Sequence, residues 1–195
     1  MKFTARLTHL DAFRVQTGDR PHYKDEIAVY GNTGFSTGPH LHISVVEGHY
    51  EDFTMLGIEN GHFKSNEQAL YRLVSNTLMN GAYRITTRYL EPGYKKRFSG
   101  GQYEHWGVDV VSLLDTRLLR WSSHSQGRVA KRSYNSMAGN YLVIQYTDDI
   151  TGHWAEDAMK MMIEQGRMSG YPDGTFKPNG NITRAEYAQA EMKKR

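Results

Sequence analysis

Two stretches of this 195-residue chain, 1–46 and 83–147, carry short apolar runs broken at glycines, and in the first the apolar residues recur with a period of two. The pattern predicts half-buried β-strands separated by turns. In the first stretch Phe3, Ala5, Leu7 and His9 share one parity, and Leu41, Ile43 and Val45 alternate with His40, His42 and Ser44. Gly18-Asp19 and Gly31-Asn32 mark turns. In the second, 83–89, 108–111, 127–130 and 141–146 are the predicted strands, punctuated by Gly93, Gly100, Gly101 and Gly139.

The stretches between and after them change character. Residues 47–64 read as a loop with Gly48, Gly57 and Gly61. Ser65-Asn66-Glu67-Gln68 then fits a capping box with Ser65 as N-cap. Ala69, Leu70, Leu73, Val74 and Leu78 follow at helical spacing, with Gly81 as a C-cap. Residues 47–82 are therefore a structured connector. From residue 148 the period is helical: a helix from His153 to Gln165 with Trp154, Ala158, Met161 and Met162 on its apolar side, a turn at 171–174, and a second capping box at Thr183-Arg184-Ala185-Glu186. The expected organisation is a mainly β domain over 1–147 and a small helical module over 148–195, too small to bury much of its own surface.

Composition narrows the chemistry. No uncharged apolar run of about 18 residues exists, so no transmembrane helix is expected. The N-terminal residues lack an apolar core, so no Sec-type signal is legible. There is no cysteine, which excludes disulfides, thiolate ligands and thiol nucleophiles. A transition-metal site must then use histidines and carboxylates. The net charge of +3 is too small to argue for nucleic acid.

Two segments supply such groups. In a strand His40 and His42 face one side, so both rings can reach one site; a solvated strand face gives the same spacing. His105-Trp106-Gly107-Val108-Asp109 is the other. A straight strand would hold His105 and Asp109 about 13 Å apart, whereas zinc ligands each lie about 2 Å from the ion. A shared ion therefore requires a bend, which Gly107 eases; an ordinary surface turn is the other reading. Two histidines and one aspartate are the set for a catalytic zinc with one open position. Trp106 and Tyr103 either line a groove or pack around the bend. His22, His49, His62 and His124 match no motif.

Gly31-Asn32-Thr33-Gly34-Phe35-Ser36-Thr37-Gly38-Pro39-His40-Leu41-His42 closely resembles the signature of lysostaphin-type zinc peptidases, which cut peptidoglycan peptides. His105-x-Gly-x-Asp109 resembles their other metal motif, and Leu7-Thr8-His9-Leu10 their third element. The glycine-rich run lacks the Lys-Ser/Thr ending of a phosphate loop. The resemblance covers 2–46 and 83–147 and implies an antiparallel-sheet peptidase domain. It implies Zn2+ ligands His42, His105 and Asp109, with His9 and His40 as the catalytic histidines. The motif order is the reverse of the usual one. That leaves a circularly permuted domain, as in some phage lysins, or a site shared by two chains that exchange halves.

Residues 148–195 resemble a single S-layer homology repeat through Asp149-Ile150-Thr151-Gly152-His153-Trp154-Ala155-Glu156, Gly170-Tyr171-Pro172-Asp173-Gly174-Thr175-Phe176-Lys177-Pro178 and Ile182-Thr183-Arg184-Ala185-Glu186. Such repeats bind anionic secondary cell-wall polymers, and the resemblance places Arg184 on the polymer with Trp154 and Gly170 shaping the groove. Trp154 is otherwise a core residue. These repeats usually come in threes, so self-association is left open. The resulting expectation is a peptidoglycan endopeptidase of the endolysin kind, made in the cytoplasm, released through a holin pore and acting at the wall, with no nucleic-acid or membrane partner. An inactive wall-binding or S-layer-associated protein is the alternative.

Overall fold

The computed structural model describes residues 1–75, 82–98, 103–124, 126–171 and 175–192. Among them nine strands form one antiparallel sheet: β1 (Lys2–Phe13), β2 (Glu26–Tyr30), β3 (Leu41–Glu47), β4 (Lys64–Ser65), β5 (Tyr83–Thr87), β6 (Val108–Ser112), β7 (Leu118–Arg120), β8 (Arg128–Asn135) and β9 (Gly139–Thr147). The strand path is β5-β6-β3-β1-β2-β7, with β9 on the other edge of β1, β8 beyond it, and β4 on β3. Helices are few: α1 (Met55–Glu59), α2 (Glu67–Ser75), α3 (Tyr94–Phe98), α4 (Glu156–Glu164) and α5 (Arg184–Met192). The chain is mainly antiparallel β, as its alternation predicts. None of the described helices is long and apolar enough to cross a membrane.

Strand β1 organises the sheet. It pairs with β3 from Phe3 to Thr8 and with β9 from Lys2 to Leu7, then takes β2 as partner from Leu10 onward. The change falls at His9, which holds a left-handed backbone at φ 61°. Opposite β9, the step from Leu7 to Leu10 spans three residues against two from Leu142 to Asn140, which is a β-bulge. The bulge corrects the expected parity: His9 does not continue the face of Phe3, Ala5 and Leu7. Leu7 and Leu10 are both fully buried in the core, and His9 turns toward His40 on the opposite face.

Leu41, Ile43, Leu119, Trp121, Leu142 and Ile144 fill the core on one side of the sheet. Helix α2 covers them with Ala69, Leu70, Leu73 and Val74, the residues its spacing predicts; Leu78 and Gly81 lie outside the described residues. Its cap differs by one residue from the expectation. Ser65 is held in β4 opposite Val46, and Asn66 caps instead, its Oδ1 accepting from Ala69 N at 2.8 Å. Residues 47–64 are more than a loop, because α1 folds there. Its Ile58 joins Val46 and Phe53 in a second apolar cluster on the other side of the sheet.

The C-terminal module has a core of Ile150, Met159 and Phe176. Asp149 accepts hydrogen bonds from the backbone N–H groups of Phe176 and Lys177, closing the module on itself. Helix α4 starts at Glu156, later than predicted, because residues 152–155 form a turn in which Gly152 N donates to Glu156 Oε2. Its buried side chain is Met159, whereas Ala158 and Met161 are exposed. Trp154 precedes the helix and is 91% exposed, which removes it from the core. The capping box of α5 forms as read, with Thr183 Oγ1 accepting from Glu186 N and the Glu186 carboxylate accepting from Thr183 N. The turn at 171–174 lies largely outside the described residues.

Candidate metal centre

The β3–β6 register sets His42 directly opposite Asp109. Leu41 and Ile43 point into the core, so His42 stands on the other face. His105 comes from irregular chain just before β6. The bend between it and Asp109 runs over Gly107, where a Cβ would lie 2.5 Å from the Ile43 carbonyl oxygen and 2.6 Å from His42 Nε2. Only glycine lets the backbone pass that close.

Three polar atoms converge there. His42 Nδ1 is 2.8 Å from Asp109 Oδ1 and 3.1 Å from His105 Nε2, and His105 Nε2 is 3.1 Å from Asp109 Oδ1. A tetrahedral zinc with bonds of about 2.0 Å would space its ligand atoms by about 3.3 Å. The proton count points the same way. His105 Nδ1 lies 2.7 Å from the Arg88 carbonyl oxygen, which can only accept, so the proton sits on Nδ1. In a neutral ring Nε2 is then a bare lone pair facing a carboxylate oxygen, on a side chain only 1% exposed. Such a pair repels unless a cation lies between them. His42 can place its proton on Nε2, which meets the Ser44 hydroxyl at 3.1 Å, leaving Nδ1 free for the same cation. Burial pushes His42 down, against the pull of Asp109. These residues are a donor set that fits zinc.

His9 and His40 sit beside this triangle, their ring centroids 4.8 Å apart. Each is aimed by a backbone carbonyl of the glycine-rich segment: His9 Nδ1 donates to Thr33 O and His40 Nδ1 to Gly38 O, both at 2.8 Å. Their Nε2 atoms are left as acceptors, that of His40 3.6 Å from Asp109 Oδ1. Burial lowers the His9 pKa to about 4, with the nearby His42 and His40 adding to the effect against the Thr33 hydrogen bond, so the ring is neutral near pH 7. The carbonyl of Thr33 is fixed by two glycines packed back to back. Gly34 and Gly139 both have positive φ, and a Cβ on Gly139 would meet Thr33 at 2.3 Å.

All five side chains implied by the resemblance thus gather in one place. Sequence reasoning missed the carbonyls of Arg88, Thr33 and Gly38, because a backbone group carries no residue signature. It also missed Tyr94, whose ring centroid lies 4.5 Å from that of His105 and whose phenol burial pushes up. Trp106 packs rather than lining the groove, its indole N–H donating to Glu59 Oε1 at 3.2 Å. The remaining histidines have other partners: His49 donates to Tyr146 O, His22 meets Gln126, His153 meets Asn179, and His124 stacks on Tyr23. His62 is exposed. In the C-terminal module Trp154 and Arg184 are exposed at the starts of different helices, and Gly170 is half-buried beneath Phe176.

Comparison with known proteins bears mainly on the C-terminal module. Residues 146–188 match the family model of the S-layer homology domain, so the chain contains one such domain. Cell surface glycoprotein 1 of Acetivibrio thermocellus is 48% identical over 59 residues, 30% of this chain and 2% of that protein. The cellulosome-anchoring protein of the same organism is 46% identical over 56 residues, 29% of this chain and 12% of that protein. An uncharacterized metalloprotease of Buchnera aphidicola is 44% identical over 43 residues, 22% of this chain and 11% of that protein. The chain therefore spans only a small part of the length of the relatives it matches. No solved structure matches it.

Proposed function

We propose that the chain is a zinc-dependent endopeptidase that hydrolyses peptide bonds of peptidoglycan stem peptides or cross-bridges and is retained at the cell surface by its S-layer homology domain. The observation that carries this reading is the meeting of His42 Nδ1, His105 Nε2 and Asp109 Oδ1 within 3.1 Å, with the His105 lone pair turned on a carboxylate. Zinc held there supplies Lewis acidity: it polarises a peptide carbonyl and makes water acidic enough to attack near neutral pH. The protein supplies the rest. His9 and His40, each fixed through Nδ1, present Nε2 to accept the proton of the attacking water and return it to the amine that leaves as the C–N bond breaks. Once protonated, either ring can donate to the oxygen that gains charge.

One chain contributes all five side chains, which favours circular permutation over exchange of halves. The β9–β1 pairing supports it too: Lys2 lies opposite Thr147, and Asp148 N donates to Met1 O at 2.8 Å, a geometry that a short turn would close. The S-layer homology domain supports cell-surface association. Arg184, with Trp154 and Gly170, is the proposed contact to an anionic secondary wall polymer. Action as a phage-type lysin fits this combination of parts.

The test is turbidity loss of purified Gram-positive cell walls alongside metal analysis of the purified protein. About one zinc per chain and lysis that chelator stops and zinc restores are expected. Lysis that persists in chelator would overturn the metal reading. Wall sedimentation without zinc or lysis would leave an inactive wall-binding protein.

A further inference from the structure

We infer that the connector, through α1 and β4, is a positioning element for the metal centre: it holds the irregular chain that carries His105. The inference rests on the metal reading above. His42 and Asp109 are placed by strand register, but His105 belongs to no strand. Its ring is oriented by the Arg88 carbonyl, and its own carbonyl accepts from Leu90 N at 2.7 Å. Those contacts close the loop on itself at the end of β5.

Two side chains next to these groups add ties, and both reach the connector. Tyr89, adjacent to Arg88, donates its hydroxyl to Ser65 Oγ in β4 at 2.9 Å. Trp106, adjacent to His105, packs on the Val46, Phe53 and Ile58 cluster and donates to Glu59 at the end of α1. The two rings also meet edge to face at 6.1 Å. Helix α1 is itself closely packed, because a Cβ on Gly57 would fall 2.3 Å from the Phe63 ring. The loop is thus tied at both ends of its hydrogen-bonded closure to a segment that carries no metal ligand.

A metal site tolerates ligand errors of only about 0.2 Å. If the tethers are cut, His105 occupies its position for a smaller fraction of the time, and apparent affinity falls in proportion to that fraction. The sheet and the other two ligands need not change.

Zinc affinity of the whole chain, measured by competition with a chromophoric chelator, tests this against thermal unfolding of the metal-free protein. Ile58→Ala and Trp106→Phe are each expected to weaken zinc binding by about tenfold, in the range found for groups that orient metal ligands. Tyr89→Phe removes one hydroxyl and is expected to weaken binding less while leaving the metal-free unfolding midpoint unchanged. Ile144→Val, in the core on the opposite side of the sheet from α1 and Trp106, is expected to lower that midpoint and leave zinc affinity unchanged. Unchanged affinity in all three tether variants would overturn the inference and spare the metal centre. So would a loss in Ile144→Val equal to that in Ile58→Ala. A wild-type chain that holds no zinc would overturn both.

Discussion

The sheet and the C-terminal module use their residues in opposite ways. The sheet buries large side chains completely and brings polar groups together on its other face, aimed by backbone carbonyls and strand register. Among its described residues the module encloses three buried ones, and no residue of α5 is buried. Tyr187, Ile182 and Trp154 are exposed there. Chemistry on a scissile bond needs fixed geometry, and so a rigid scaffold. Adhesion to a polymer can use exposed side chains on a small support, with each contact weak.

The sharpest way to break this contrast is within the site. His42→Ala is expected to lower wall lysis by about 10³-fold or more, roughly 4 kcal/mol of transition-state stabilisation. It should abolish zinc retention after dialysis, with far-ultraviolet circular dichroism unchanged. Lysis near the wild-type rate would remove His42 from the centre. Next in size is Leu70→Ala, which opens a cavity between α2 and the sheet and should cost about 2–5 kcal/mol by denaturant titration. The matching change in the module, Tyr187→Ala, is expected within about 0.5 kcal/mol because the side chain is exposed. Equal losses would mean that the module is as tightly built as the sheet.

Two smaller effects sharpen the comparison. Arg184→Ala should weaken sedimentation with purified walls by about twofold to fivefold, as for an exposed ion pair, and leave cleavage of a soluble muropeptide unchanged. The junction between the regions carries the smallest. His124 stacks on Tyr23 and lies 3.6 Å from Glu164 of α4. Burial lowers its pKa, as does Lys160, against the pull of Glu164 and Asp148. The unfolded chain then takes a proton near pH 6.5 that the folded chain resists, so this group's contribution to stability falls as pH drops through that region. Denaturant midpoints compared at pH 7 and pH 5 should show a decline that His124→Phe flattens.

Much of this was legible in the residues, within limits that have physical causes. Long strands such as β1, β3 and β9 announce themselves, β1 and β3 by alternation and β9 by its apolar run from Tyr141 to Ile144. β2 runs Ile27-Ala28-Val29-Tyr30 without a polar residue to mark a period, and β7 is only three residues long. The site's side chains were named by a resemblance of motifs, whereas the groups that orient them are carbonyls, which no sequence pattern marks. His9 shows the limit well, since its periodicity and its motif pointed to different faces of β1. The helix at 156–164 was found but its buried side misassigned, because apolar residues surround much of that helix and only packing selects Met159.

That irregularity at His9 makes the catalytic register fragile in a particular way. Removing Thr8 would restore an even strand and lengthen the run of regular pairing. The ring would then stand opposite His42, without the left-handed turn at φ 61° that now sets its Nδ1 against the Thr33 carbonyl. If the chain acts as proposed, a flawless ladder and lysis exclude each other, so a variant of this kind is expected to gain order and lose lysis together.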